Sequence, residues 1–180
     1  MTLVGALVVL GVVAGAWAAG APDRYTVKVP GGLGFAEFKG YEDWAVVSIS
    51  QNGKAFAAIL GNPTIMEALR AGIPANGKPF PDGSRMAKVH WLPHKKETYP
   101  GPPTVPDVQT NVDFMVKDSK RFADAGGWGW ASFDYDAATQ KFAPSGKDAK
   151  PPQEHDAKCG LACHTKIKER DYVFTEYATR

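Results

Sequence analysis

Residues 112–136 read VDFMVKDSKRFADAGGWGWASFDYD, and this stretch decides the fold. Its two ends, VDFMV (112–116) and WGWASFDYD (128–136), are dense in β-branched and aromatic residues, the composition that suits a pleated, half-buried strand. Between them KDSKRFADAGG offers Asp118 or Ser119 as the cap of a short helix and Gly126 as its terminator. A helix of that length cannot build a bundle, so sheet carries this part of the chain.

The same signature recurs outward from it. YTVKV (25–29), DWAVVSIS (43–50), FAAIL (56–60) and MAKVHW (86–91) are short apolar runs, most of them bounded by Gly, Pro, Asn or Asp. One more short helix is expected in NPTIMEALRAG (62–72), with Thr64 and Glu67 as a capping box, Pro63 ahead of it and Gly72 to end it. Residues 91–110 and 144–158 are Pro-rich and polar, hence loops within a single domain, and no internal repeat is present. The expectation is an α+β chain dominated by sheet.

With 180 residues and 44% apolar side chains, the chain can bury one real core. The formal net charge is only +2 and no long basic run occurs, which points away from nucleic acid and from an anionic membrane surface. At the start, MTLVGALVVLGVVAGAWAAGAP carries no charged side chain, and its apolar core is followed by Ala16-Trp17-Ala18. That pattern resembles a signal peptide over residues 1–18, cleaved to leave a mature domain of residues 19–180 in the periplasm. Retention as an anchor is the rival reading, against which stands the run's length, short of the roughly 20 apolar residues that span a bilayer.

The chemistry gathers at CGLACH (159–164), which contains both cysteines of the chain and a histidine directly after the second. Covalent haem attachment needs two thiols for the two vinyl groups and an adjacent histidine for the iron, normally with two residues between the cysteines. Here there are three, Gly160, Leu161 and Ala162. On a helical turn, positions i and i+4 share a face about as well as i and i+3, so the longer loop is tolerable. Other readings remain open. A zinc site would need a fourth ligand from His90, His94 or His155, a disulfide would close a loop too short to stabilise much, and a nucleophilic thiol would need a base. No Met or His follows His164, so a sixth iron ligand would have to come from upstream.

The tail CGLACHTKIKERDYVFTEY, the stretch FPDGSRMAKVHW and the stretch VDFMVKDSKRFADAGGWGWASFDYD together resemble the cytochrome P-460 family, which includes the cytochromes c-prime-beta, in the same order over residues 41–177. The resemblance implies an exported homodimer on a mainly antiparallel sheet with a few short helices, a C-terminal haem-attachment helix, and one covalent haem c with an open distal side. Cys159 and Cys163 match the thioether pair and His164 the axial ligand. Lys88 falls where the enzymatic members carry a lysine cross-linked to the porphyrin, and Asp113 falls where they carry a distal glutamate. Read as residues alone, Met86, Lys88 and His90 share one strand face, where a lysine is usually solvated, and Asp113 is equally readable as a surface carboxylate.

The implied activity is oxidation of hydroxylamine to nitric oxide or nitrous oxide, with Asp113 as base and an unknown redox partner taking the electrons. The alternatives are a protein that binds nitric oxide or another small gas without turnover, and a simple electron-transfer cytochrome with six-coordinate iron. Phe114, Trp128, Trp130 and Phe133 could wall a haem pocket but are ordinary core positions by type. Asp171 and Tyr172 would pack the last segment beneath the haem.

Overall fold

The structure, a computed structural model, describes residues 23–153 and 157–178. The expected signal segment and His155 lie outside them. Among the described residues no helix is long and apolar enough to cross a membrane.

Six strands form one antiparallel sheet in which spatial order equals chain order: β1 (Ala45–Asn52), β2 (Ala55–Gly61), β3 (Arg85–Lys95), β4 (Thr104–Lys117), β5 (Trp128–Asp136) and β6 (Lys141–Pro144). The expected α+β class is the one observed. The β1–β2 turn is closed by Asn52, whose Oδ1 accepts from the amides of Lys54 and Ala55 at 3.2 and 3.0 Å, the short-range bonding that makes Asn a turn former.

Several local expectations are corrected. YTVKV is not a strand: Asp23 accepts the Tyr25 amide at 3.0 Å and bends the chain into a 3-10 turn, Arg24–Thr26, after which a single bridge joins Lys28 to Gly34. The first helix, α1 (Pro63–Arg70), is capped by Asn62 rather than Thr64. The Asn62 Oδ1 accepts the Ile65 amide at 3.2 Å, and Pro63 occupies the first turn, where its missing N–H costs nothing. Between β4 and β5 there is no α-helix, only turns and one 3-10 turn, Ala123–Ala125. Asp118 does not cap it: its Oδ1 accepts the Lys120 and Arg121 amides in the preceding turn, the 3-10 turn starts from Phe122 without a side-chain cap, and Gly126 ends it at φ 65°.

The stretch 91–110, read as loop, is mostly strand. β3 runs through Pro93 and β4 begins at Thr104, with Pro93 opposite Pro106 and register shifts on either side of Trp91. Proline is tolerated in a ladder at such irregularities because it has no N–H to leave unpaired.

The alternation of β3, β4 and β5 divides the sheet into two faces. On one, Ala87, Val89, Val112, Phe114 and Phe133 are buried beneath the N-terminal segment. Phe35 and Phe38, from the 3-10 turn Phe35–Phe38, supply the lid: Phe38 stacks on Phe114 with centroids 4.1 Å apart, and Phe35 meets Phe114 and Phe133 edge-on at 5.2 and 5.0 Å. Each such ring contributes about 1.5–3 kcal/mol by leaving water. On the other face the cross-strand row Ile59, Lys88, Asp113 and Ser132 puts a lysine, a carboxylate and a hydroxyl where a core would put aliphatics. This polar face is the one the C-terminal segment crosses.

Candidate functional site

The cysteines lie on and just before a single helical turn, α2 (Leu161–His164), which runs on as a 3-10 segment, Thr165–Arg170. Two features dock that turn on β5. The Trp130 amide donates to the Ala157 carbonyl at 2.6 Å, beside a parallel bridge from Trp130 to Lys158. Gly160 lies against the Trp130 indole so closely that a Cβ there would overlap the ring, so only glycine permits the approach. The expected short C-terminal helix is therefore present, one turn long.

His164 is oriented by a backbone group. Its Nδ1 lies 2.7 Å from the Tyr172 carbonyl, which can only accept, so Nδ1 carries the proton and Nε2 keeps its lone pair. The Tyr172 carbonyl is aimed by two consecutive non-glycine residues in the left-handed region, Asp171 at φ 48° and Tyr172 at φ 64°. That conformation costs on the order of 1–2 kcal/mol per residue and persists only when its surroundings over-determine it. They do: Asp171 Oδ1 accepts from Lys117 Nζ at 2.7 Å and Oδ2 from the Phe80 amide at 2.7 Å. Lys117 also donates to the Gly126 carbonyl at 2.9 Å and sits 5.1 Å from the Trp128 ring centroid. Burial holds the His164 imidazole below its ordinary pKa against the opposing hydrogen bond to the Tyr172 carbonyl, with smaller contributions from the Lys88 charge, which lowers it, and from Asp113, which raises it.

Cys159, Cys163 and His164 open onto a cavity of about 390 Å³, within the ordinary range for a small-molecule or cofactor pocket. Lys88 and Asp113 line the same cavity, so all five residues singled out from the sequence meet there. Lys88 is half-buried and faces Asp113 across the β3–β4 ladder, yet the Asp113 carboxylate takes other partners. Its Oδ2 is 2.9 Å from His90 Nε2, and its Oδ1 accepts from Ser132 Oγ at 2.6 Å and Asn111 Nδ2 at 3.0 Å. Burial pushes this carboxyl up, but the hydrogen bonds from His90 and Ser132 and the charge on His90 outweigh it and hold the group below its ordinary value. Among the described residues Lys88 makes no ion pair, leaving its amine available to whatever fills the cavity.

Of the aromatics, Trp130 lines the cavity and Phe114 borders it, whereas Trp128 and Phe133 are core. Reading the sequence missed Met86 and Met115 in the lining, His90 as the partner of Asp113, and the backbone anchor on His164. His94 is exposed on β3. No disulfide joins Cys159 to Cys163, and among the described residues no group of three or more His, Cys, Asp or Glu side chains could hold a metal ion by itself.

The residues present fit a haem. Two thiols, an imidazole with its lone pair available and an adjoining apolar cavity are the donor set of covalent attachment and axial ligation. Trp130 adds a buried indole N–H with no acceptor among the described residues, an orphan donor of the kind a polar edge of a cofactor would satisfy.

A single antiparallel sheet with a cysteine-cysteine-histidine turn docked over its polar face thus defines a haem-binding sheet protein rather than a helical cytochrome. The family model described as Cytochrome P460 matches residues 38–175, most of the chain, and the protein belongs to that family. It is accordingly a haem cytochrome, with iron as its metal. No curated protein sequence matched the chain.

Proposed function

We propose that this protein is an exported, periplasmic cytochrome with one haem c, attached through Cys159 and Cys163 and ligated by His164, that oxidises hydroxylamine to nitric oxide or nitrous oxide. The observation that carries this reading is the fixed tautomer of His164, with Nδ1–H spent on the Tyr172 carbonyl and Nε2 free, in a cavity shared with Lys88 and Asp113. When bound, the haem supplies a redox-active iron able to take electrons from a small nitrogen ligand. The chain's own residues do the rest. Asp113, ionised at neutral pH, is a base of the right reach for an N–H or O–H proton of hydroxylamine. Lys88 supplies an amine for a bond to a porphyrin ring carbon, a step that would displace that carbon's hydrogen and would need a two-electron chemical oxidant such as a peroxide. A homodimeric state and a one-electron acceptor complete the proposal.

The test is an optical spectrum of the exported, haem-loaded protein, taken with its intact mass and a tryptic map. The expected results are one haem per chain on the Cys159–Cys163 peptide, a ferrous band displaced strongly to the red, and haem retained on the Lys88 peptide. An ordinary c-type spectrum with Lys88 recovered unmodified sinks the enzymatic reading. A five-coordinate iron that binds nitric oxide without hydroxylamine turnover would then make the protein a gas binder.

A further inference from the structure

Behind Asp113 lies a line of hydroxyls that the reaction at the cavity does not by itself require. Ser132 Oγ is 2.6 Å from Asp113 Oδ1 and 2.9 Å from Ser145 Oγ, and Ser145 Oγ is 2.7 Å from Asp134 Oδ1. Ser132 and Ser145 are buried, 5% and 3% exposed, while Asp113 lines the cavity and Asp134 is exposed at the surface. We propose that Asp113, Ser132, Ser145 and Asp134 form a proton path from the cavity to solvent.

A count of hydrogens supports it. The line has three oxygen-to-oxygen links, Asp113–Ser132, Ser132–Ser145 and Ser145–Asp134, and its two serine hydroxyls own two hydrogens. With both carboxylates ionised, one link is always empty. The line is therefore built one proton short, which is the state of a ready acceptor. A proton taken from the cavity ligand forms an O–H bond at Asp113 Oδ1. Both hydroxyls then turn toward Asp134: the proton on Asp113 passes to Ser132, that of Ser132 to Ser145, and that of Ser145 to Asp134. Each serine ends with one hydrogen, Asp113 is again a carboxylate, and one proton has crossed to the surface. The low basicity of Asp113 suits passage rather than storage.

The line is also held rigid. Gln153, 4% exposed, accepts the Ser132 amide through Oε1 at 2.6 Å and donates through Nε2 to the Ser132 carbonyl, while the Ser145 amide donates to that same carbonyl at 2.9 Å. These bonds pin the backbone on which both hydroxyls turn. The groups facing Asp113 are His90 and Lys88 from β3, Asn111 from its own strand, Ser132 from β5, and His164 and Lys150 around the cavity. Among the described residues, only the serine arm continues through buried oxygens to an exposed carboxylate.

This inference rests on the proposed hydroxylamine reading for its proton source, and the test separates the two. Full-length holoprotein with ¹³C-labelled aspartate carboxyls is titrated with acid as its diamagnetic ferrous carbon monoxide complex. Expected is one coupled step in which Asp113 and Asp134 share the first proton, so that both resonances move together. Ser145→Ala should split this into two independent titrations, and Asp134→Asn should displace the Asp113 midpoint. In turnover with hydroxylamine, Ser145→Ala should lower kcat about tenfold with KM unchanged, short of the roughly 10²–10⁴-fold loss expected for removing the base itself. Independent titration of the two carboxyls in the unmodified protein overturns the path. So does a kcat loss that appears in His90→Gln and not in Ser145→Ala or Asp134→Asn, since it would place the exit on β3. Coupled titration without any hydroxylamine turnover upholds the path and refutes the proposed substrate.

Discussion

Replacing Lys117 by methionine tests the anchoring of the proximal side. The ammonium of Lys117 and the carboxylate of Asp171 are 2.7 Å apart, with side chains only 7% and 12% exposed, so neither has water to fall back on. Methionine keeps the apolar stem beside Trp128 but removes the charge. Asp171 is then left with the Phe80 amide alone, a buried anion without its cation. Removing one member of such a pair costs about 3–5 kcal/mol, a large part of the roughly 5–15 kcal/mol that holds a domain together. At about 2–4 °C per kcal/mol for a chain of this size, the melting temperature should fall by roughly 6–20 °C.

The same substitution should reach the iron. Without its anchor the left-handed pair Asp171–Tyr172 relaxes, the Tyr172 carbonyl drifts from Nδ1, and His164, the proposed iron ligand, becomes a weaker donor. Urea unfolding at pH 7 measures the first effect, and the iron–histidine stretching frequency of the ferrous protein measures the second. The double variant Lys117→Met with Asp171→Asn should be more stable than Lys117→Met alone, because the stranded anion is gone. A stability loss under 1 kcal/mol with an unmoved iron–histidine frequency would refute the anchoring argument, as would a double variant no better than the single one.

Other outcomes follow from the same geometry. Asp113 has a folded pKa below its unfolded value of 3.8, so its contribution to stability is complete above that pH and disappears as the pH falls through the depressed folded value. Unfolding midpoints of Asp113→Asn should therefore decline less below pH 4 than those of the unsubstituted protein, and parallel curves would contradict the network around this carboxylate. Phe38→Ala, on the opposite face, removes a fully buried ring stacked on Phe114 and should cost about 3–5 kcal/mol in chemical denaturation while leaving the haem spectrum unchanged. A spectral change in that variant would show that the two faces are not energetically separate.

How much was legible in the chain depended on the range of each interaction. The strands at 56–60, 86–91 and 128–136 announced themselves through local alternation and turn residues, which act over a few positions. The extension of β3 and β4 did not, because Pro93 and Pro106 read as breakers until they are seen opposite one another at an irregular register. The helix after β4 failed for the reverse reason: candidate caps were present, but only a few residues separate Asp118 from Gly126, and the chain spends them on turns.

At the site, Lys88, Asp113, Cys159, Cys163 and His164 were each identifiable by type and motif, but their meeting in one cavity depends on strand register and on the docking of Gly160 against Trp130. The Tyr172 carbonyl was invisible because every residue has one. Ser132, Ser145 and Gln153 were invisible because small polar residues 8–21 positions apart carry no spacing signal.

Asp113 and Lys117 lie four residues apart on β4 and so share one face of that strand. One reaches the cavity as a carboxylate, and the other, through Asp171 and Tyr172, sets the imidazole of His164. A single extended segment, roughly 14 Å from one residue to the other at about 3.4 Å each, thus serves as a ruler between the proposed base and the anchor of the proposed iron ligand. A change of register in β4 would move both at once, so the spacing between the two halves of the site cannot drift by small steps in the sheet. Variation at this site has to come from side-chain length at either mark, and Asp113→Glu would be such a variation.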